Sequence, residues 1–171
     1  MEKVSTARIA LKWGLIYGLL SIVVNTIIYT FNLLEHQWIN TVVSIVLSFG
    51  VLYLAFKEFR DLNGGFMKFG QGLGLGMLLF VTGGVLASGY DFVYKRLIDP
   101  GIIDKQLEIV EMQYEKAGMS PEMIEQALEA AKTWMNGPLT PVVMVFSFAF
   151  IGFICSLIMA AIMKKNPPVF E

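Results

Sequence analysis

The 171-residue chain is 56% hydrophobic and 16% charged, where an average soluble domain carries roughly 25% charged residues. A formal net charge of -1 supplies no field that would gather nucleic acid, and a single cysteine, Cys155, leaves no intrachain disulfide and no cysteine-based metal site. The apolar residues fall in long blocks without mid-block charges, a pattern that predicts lipid-crossing helices and makes the lipid bilayer the first expected partner.

Lys3, Arg8 and Lys12 precede the first block as the basic start of a secretory signal would. The block itself, 13–34, is longer than the usual apolar stretch of about 7 to 15 residues in such signals, and Leu34-Glu35-His36 offers no small-residue cleavage site. It reads as a retained first span. A second span is predicted over 38–56, after a link so short that the two must form a tight antiparallel pair. The next link runs from Lys57 to Lys68 and turns at Asn63-Gly64-Gly65, where positive φ costs little. Span three follows over 69–94 and span four over 141–163, the whole reading as one membrane domain over 1–171.

Between spans three and four the chain has helical signals of its own. Asp99-Pro100 starts one helix with Leu107, Val110, Tyr114 and Ala117 at helical spacing, and Gly118 stops it. Ser120-Pro121-Glu122 starts another, with Ile124, Ala127, Leu128, Ala131 and Trp134 on one stripe, until Asn136-Gly137-Pro138. The expected result is an amphipathic helical hairpin over 100–135. Lys3, Arg8, Lys12, Lys57, Arg60, Lys68, Lys164 and Lys165 are eight of the 13 basic residues and fall on one side. The positive-inside rule makes that side cytoplasmic, with both termini, and puts the hairpin opposite. The fold class is therefore all-α, a four-helix transmembrane bundle with an extracytoplasmic hairpin.

Lipid chains are as apolar as leucine, so spans associate through small residues and hydrogen bonds. Each predicted span carries such a stripe: Gly14, Gly18, Ser21, Asn25 and Asn32; Thr41, Ser44, Ser48 and Ala55; Gly72, Gly76, Gly83 and Ala87; and Ala149, Gly152, Ser156 and Ala160. The run from Gly70 to Gly76 lacks a Walker lysine and has Leu75 where a dinucleotide motif needs glycine. Its overlapping pairs, Gly70 with Gly74 and Gly72 with Gly76, are expected to pack helices, a hinge or a ligand contact being the alternatives.

Few residues could carry chemistry. Asn25 lies mid-span, where its amide needs either an interhelical hydrogen bond or a solute. Asp91 could bind a cation or a proton, but Lys95 one turn later is a natural ion-pair partner. His36, the one histidine, sits in a short turn without clustered carboxylates and is a poor metal ligand. No nucleophile has a base nearby in sequence, so no enzyme, cofactor or metal is expected.

Three stretches together resemble a bacterial membrane family known as domain of unknown function 4199, found mainly in Bacteroidota. They are the turn from Phe59 to Gly72, the segment from Tyr94 to Pro100, and Gly118-Met119-Ser120-Pro121-Glu122. The resemblance implies a protein of a Gram-negative inner membrane and brings no activity, cofactor or catalytic residue. Two functional expectations follow. One is a non-enzymatic interaction, accessory or assembly subunit that binds a membrane protein partner or further copies of itself. The other is a small transporter or channel for an uncharged or lipid-like solute, with Asn25, Gln71 and Asp91 along its path.

Overall fold

The computed structural model describes residues 4–167, so Lys3 lies outside the described residues. Among those residues the chain forms six α-helices: α1 (Thr6–Thr30), α2 (Gln37–Leu62), α3 (Phe69–Val93), α4 (Gly101–Lys116), α5 (Pro121–Met135) and α6 (Thr140–Met163). Four of them, α1, α2, α3 and α6, are long and apolar enough to cross a membrane.

Local chemistry sets the boundaries. The Ser5 hydroxyl accepts the Arg8 N–H at 3.3 Å and starts α1 well before residue 13. That helix stops at Thr30 because Asn32 takes a left-handed φ of 54°, so Asn32 lies in an exposed turn and not on a packing stripe. At its far end α2 continues past residue 56 to Leu62, since Lys57, Glu58 and Arg60 are good helix formers. Gly64 and Gly65 then supply φ of 66° and 86°, and the strand-like Met67 exchanges two 2.9 Å backbone hydrogen bonds with Lys165 beyond α6. Gly118, at φ 75°, separates α4 from α5.

These contacts sort the helix ends. Lys12 pairs with Glu58 at 2.6 Å, and Met67 with Lys165, which gathers the start of α1, the end of α2, the start of α3 and the end of α6 at a basic end. Tyr29 meets Asp91 at the other end, where α4 and α5 fold against each other and Lys132 reaches Asp104 at 3.6 Å.

The central element is α3, which packs along α1 on one side and α6 on the other. A Cβ added to Gly14 would stand 2.7 Å from Thr82 Cβ, and one on Gly83 would stand 3.0 Å from the Gly14 carbonyl oxygen, so α1 and α3 touch backbone to backbone. On the opposite flank Ser156 presses on Gly76, Phe80 lies over Gly152, and a Cβ on Gly84 would approach Phe148 Cβ to 2.7 Å. The small residues of α3 thus divide between two neighbours: Gly72 and Gly76 face α6, and Gly83 faces α1. The expected equivalence of the two overlapping glycine pairs fails, because Gly70 and Gly74 have open space around them.

Packing is uneven along the helices. The buried residues of α2 begin at Ser48 and run on through Leu52, Ala55, Phe56 and Phe59, while none between Gln37 and Leu47 is buried. In α6 they begin at Gly152. Near the basic end the four helices enclose Leu52, Phe56, Phe59, Met67, Leu75 and Leu79, all fully buried. Toward the other end α2 and α6 leave the core, and only α3 stays buried along its whole length. The four helices form a wedge, tight at the basic end and open at the other.

Replacing Gly76 or Gly83 with leucine is expected to lower stability by about 1–3 kcal/mol or more through overpacking. Gly74→Leu, about half a turn round the helix from the face of Gly72 and Gly76 and with open space beside it, should stay within about 0.5 kcal/mol of the parent. Thermal melting midpoints in detergent compare them directly.

Candidate functional site

The open end of the wedge holds a groove of about 460 Å³ between α1, α2 and α6. Tyr17 forms its floor, with its hydroxyl 3.1 Å from Ser48 Oγ, and Cys155 and Phe148 lie beside it. From there α1 rises through Ser21 to Asn25, and the antiparallel α2 descends to meet it through Asn40, Thr41 and Ser44. Ser21, Asn25, Asn40, Thr41 and Ser44 thus line one groove. The result is a ladder of uncharged polar groups.

These groups are unevenly satisfied. Ser21 Oγ donates to the Tyr17 carbonyl at 2.8 Å, and Thr41 Oγ1 to the Gln37 carbonyl at 2.9 Å. Asn40 Nδ2 donates to the Leu33 carbonyl at 3.2 Å, but its Oδ1 is buried without a partner among the described residues. The Asn25 side chain makes no hydrogen bond among them either. Such amide groups cost free energy in an apolar setting until something pairs with them. No residue lining the groove is charged.

A second polar cluster closes α1 onto α3 at the same end. Asp91 is 4% exposed, accepts a hydrogen bond from the Tyr29 hydroxyl, and pairs with Lys95 Nζ at 2.9 Å. Tyr94 lies 4.9 Å from Tyr29 and 5.7 Å from Tyr90 between ring centroids, and the Tyr90 hydroxyl is 2.6 Å from Thr26 Oγ1. Ile102, fully buried, packs α4 onto the same rings. One π-helical turn, Tyr94–Ile98, follows and ends with the Asp99 N–H on the Tyr94 carbonyl. Arg96 reaches from it to the Asn136 carbonyl at 2.7 Å. The cavity beside Asp91 and Lys95 holds only about 10 Å³, so the cluster is filled by its own side chains.

The three residues expected along a solute path stand in three places. Asn25 lines the groove, Asp91 belongs to the tyrosine cluster, and Gln71 sits at the start of α3, where its Oε1 accepts the Lys68 N–H at 2.8 Å. Gly14, Gly18, Gly72, Gly76 and Gly83 lie at helix contacts. His36 is exposed next to α2. Among the described residues no three His, Cys, Asp or Glu side chains gather where a metal could be held. Asn40 and the tyrosines were not singled out by sequence. Tyr90 and Tyr94 at helical spacing around Asp91 are a signal, but their closure onto Tyr29 is a tertiary contact.

The chain belongs to the family described as "Protein of unknown function (DUF4199)", whose model matches residues 12–165. No curated protein and no solved structure matches it.

The Asp91 and Lys95 pair gives a sharp expectation. Asp91→Leu alone strands a largely buried ammonium and should cost about 3–5 kcal/mol, whereas the double variant Asp91→Leu/Lys95→Met, which removes both charges, should recover most of it. Denaturant melts of both variants test this, and equal losses would show that the stranded charge is not what destabilises the single variant.

Proposed function

We propose that the chain is a four-span protein of a bacterial inner membrane, with both termini cytoplasmic, whose work is non-covalent binding through the end that carries α4 and α5. The length of the four apolar helices supports insertion: 24 residues, the shortest, span about 36 Å at 1.5 Å per residue, against a hydrocarbon core of about 30 Å. Their outward faces are apolar, with Leu19, Val46, Val85, Phe146, Phe150 and Ile162 all more than half exposed, an arrangement that water disfavours and lipid accepts. Orientation rests on the basic end, where Arg8, Lys12, Lys57, Arg60, Lys68, Lys164 and Lys165 collect.

The observation that carries the binding reading is the helix pair. It is rooted by Ile102, Ile103 and Leu107, all buried, whereas α5 buries Ile124 alone and leaves Met123 53% and Trp134 50% exposed. Glu108, Glu111, Glu115, Glu122, Glu125 and Glu129 make the remainder acidic. An amphipathic pair fixed at one end and open along its faces suits an accessory or assembly subunit that engages a membrane protein partner. The groove favours a second reading, movement of an uncharged or lipid-like solute. The sealed basic half gives that reading no path through the helices in this conformation.

Two experiments test the proposal. In a Cys155→Ala background, Glu125→Cys should react with an impermeant maleimide once the outer membrane is opened, and Lys57→Cys only after the inner membrane is permeabilised. The reverse pattern would overturn the orientation. Mass spectrometry of proteins that co-purify in native nanodiscs should show a stoichiometric partner that is lost on deletion of residues 101–136. Retention of every associated protein after that deletion would sink the binding role of the helix pair.

A further inference from the structure

We infer that the groove between α1, α2 and α6 is a binding site for an amphiphile with an uncharged, hydrogen-bonding head and an apolar tail, taken up sideways from the lipid. This rests on the membrane reading above. In that setting the open half of the wedge lies in the outer leaflet, and the gap between α2 and α6 faces acyl chains.

The chemistry of the lining selects the occupant. Asn40 Oδ1 is shielded by its neighbours and its Nδ2 is committed to the Leu33 carbonyl, so the amide that the groove offers an occupant is that of Asn25. The Asn25 side chain makes no hydrogen bond among the described residues, which leaves its amide oxygen and its amide nitrogen both free. An acyl chain can satisfy neither, so a filling group has to bring at least one donor and one acceptor. A hydroxyl beside an ester or keto oxygen does both. A phosphate or an ammonium is disfavoured, because nothing charged lines the groove and a bare ion there would lose hydration without compensation. Val24, Ile45, Phe148 and Ile151 complete the wall and offer apolar surface for a chain. The volume, about 460 Å³, lies in the range of small-molecule sites, roughly 300–1,000 Å³.

A partner's transmembrane helix fits the groove less well. The groove follows α2 only from Asn40 to Phe49 and ends at the hydrogen bond between Tyr17 and Ser48. Beyond that point Leu52, Ala55 and Phe56 fill the interior completely. A helix lying there would find polar partners along one half of its length and no depression along the other.

Dioleoylglycerol is the probe, since it has one hydroxyl, two ester carbonyls, two chains and no charge. The full-length chain is placed in phosphatidylcholine nanodiscs containing either dioleoylglycerol or dioleoyl phosphatidylglycerol, and retained lipid is counted by native mass spectrometry. The expected result is retention of dioleoylglycerol over phosphatidylglycerol, about tenfold weaker in Asn25→Leu, in line with loss of roughly one hydrogen-bonding group. Val85→Ala, on the exposed face of α3, should retain it as the parent does. Equal retention by Asn25→Leu, preference for phosphatidylglycerol, or a second copy cross-linked through Ser44→Cys would overturn the assignment. Should Asn25→Leu fail to fold, Ser44→Cys in the Cys155→Ala background decides: dioleoylglycerol must slow its reaction with N-ethylmaleimide, and an unchanged rate refutes the site. Alkaline carbonate extraction separates the two levels of inference. A chain released by carbonate defeats the membrane reading itself, whereas a chain that stays in the membrane but ignores dioleoylglycerol defeats only the groove.

Discussion

Everything else in the structure depends on α3 being approached at backbone distance from two sides. Gly83 lets Gly14 and Gly18 of α1 close in on one flank, and Gly76 and Gly84 admit Ser156 and Phe148 of α6 on the other. In the membrane reading no hydrophobic force gathers apolar helices, so contact area at short range has to hold them. Glycine provides that area by removing the spacer. Phe80, projecting from α3 over Gly152, shows the complementary device: a large side chain is accepted wherever the facing residue has none.

Because α3 spends two of its faces on α1 and α6, α2 is left with what remains. It closes the assembly only where its own side chains are large enough to reach the centre, and those are Leu52, Phe56 and Phe59, all toward the basic end. The other half of α2 presents Asn40, Thr41 and Ser44, which are too short to fill the space to α6. The wedge thus follows which side chains α2 turns inward: Leu52, Phe56 and Phe59 at the basic end, and short polar groups beside Ile45 and Leu47 at the other. At the open end α1 and α3 stay together by different means, the hydrogen bond from the Tyr29 hydroxyl to Asp91 and the one between Thr26 and Tyr90, with Lys95 pairing Asp91 from the next turn of the same helix. Polar contacts take over where the small-residue packing ends.

Much of this was legible in the chain. The four apolar runs, the turn at Asn63-Gly64-Gly65, the stop at Gly118 and the start at Pro121 are local signals that tertiary structure has no reason to override. Direction was not legible. Gly70 and Gly74 repeat the spacing of Gly72 and Gly76, yet only the second pair meets a neighbour, since a shift of two residues turns a side chain by about 200° around a helix. Thr41, Ser44 and Ser48 read as one packing stripe, but Ser48 packs while the other two line open space, because the neighbouring helix diverges. Asn25 was visible as a lone mid-span amide. Asn40, near the start of α2, was hidden, for its place comes from lining the same groove as Asn25, which no single segment encodes. Gln71 shows the converse: its polar side chain serves the backbone three residues earlier, a local use that side-chain type alone does not separate from a place on a path.

The groove and the helix pair also meet through a short physical connection. Asn40 is hydrogen-bonded to the carbonyl of Leu33, and Leu33 belongs to the turn whose next residue, Leu34, packs against Tyr29, Tyr94 and Ile102. Ile102 in turn is the buried root of α4. Asn40 therefore joins the wall of the groove to the turn beneath α4. In the membrane reading, the lipid-facing groove and the solvent-facing helix pair are two surfaces of one packed unit, joined through Asn40, Leu33, Leu34 and Ile102. The basic half, sealed around Phe56 and Phe59, has no part in that connection.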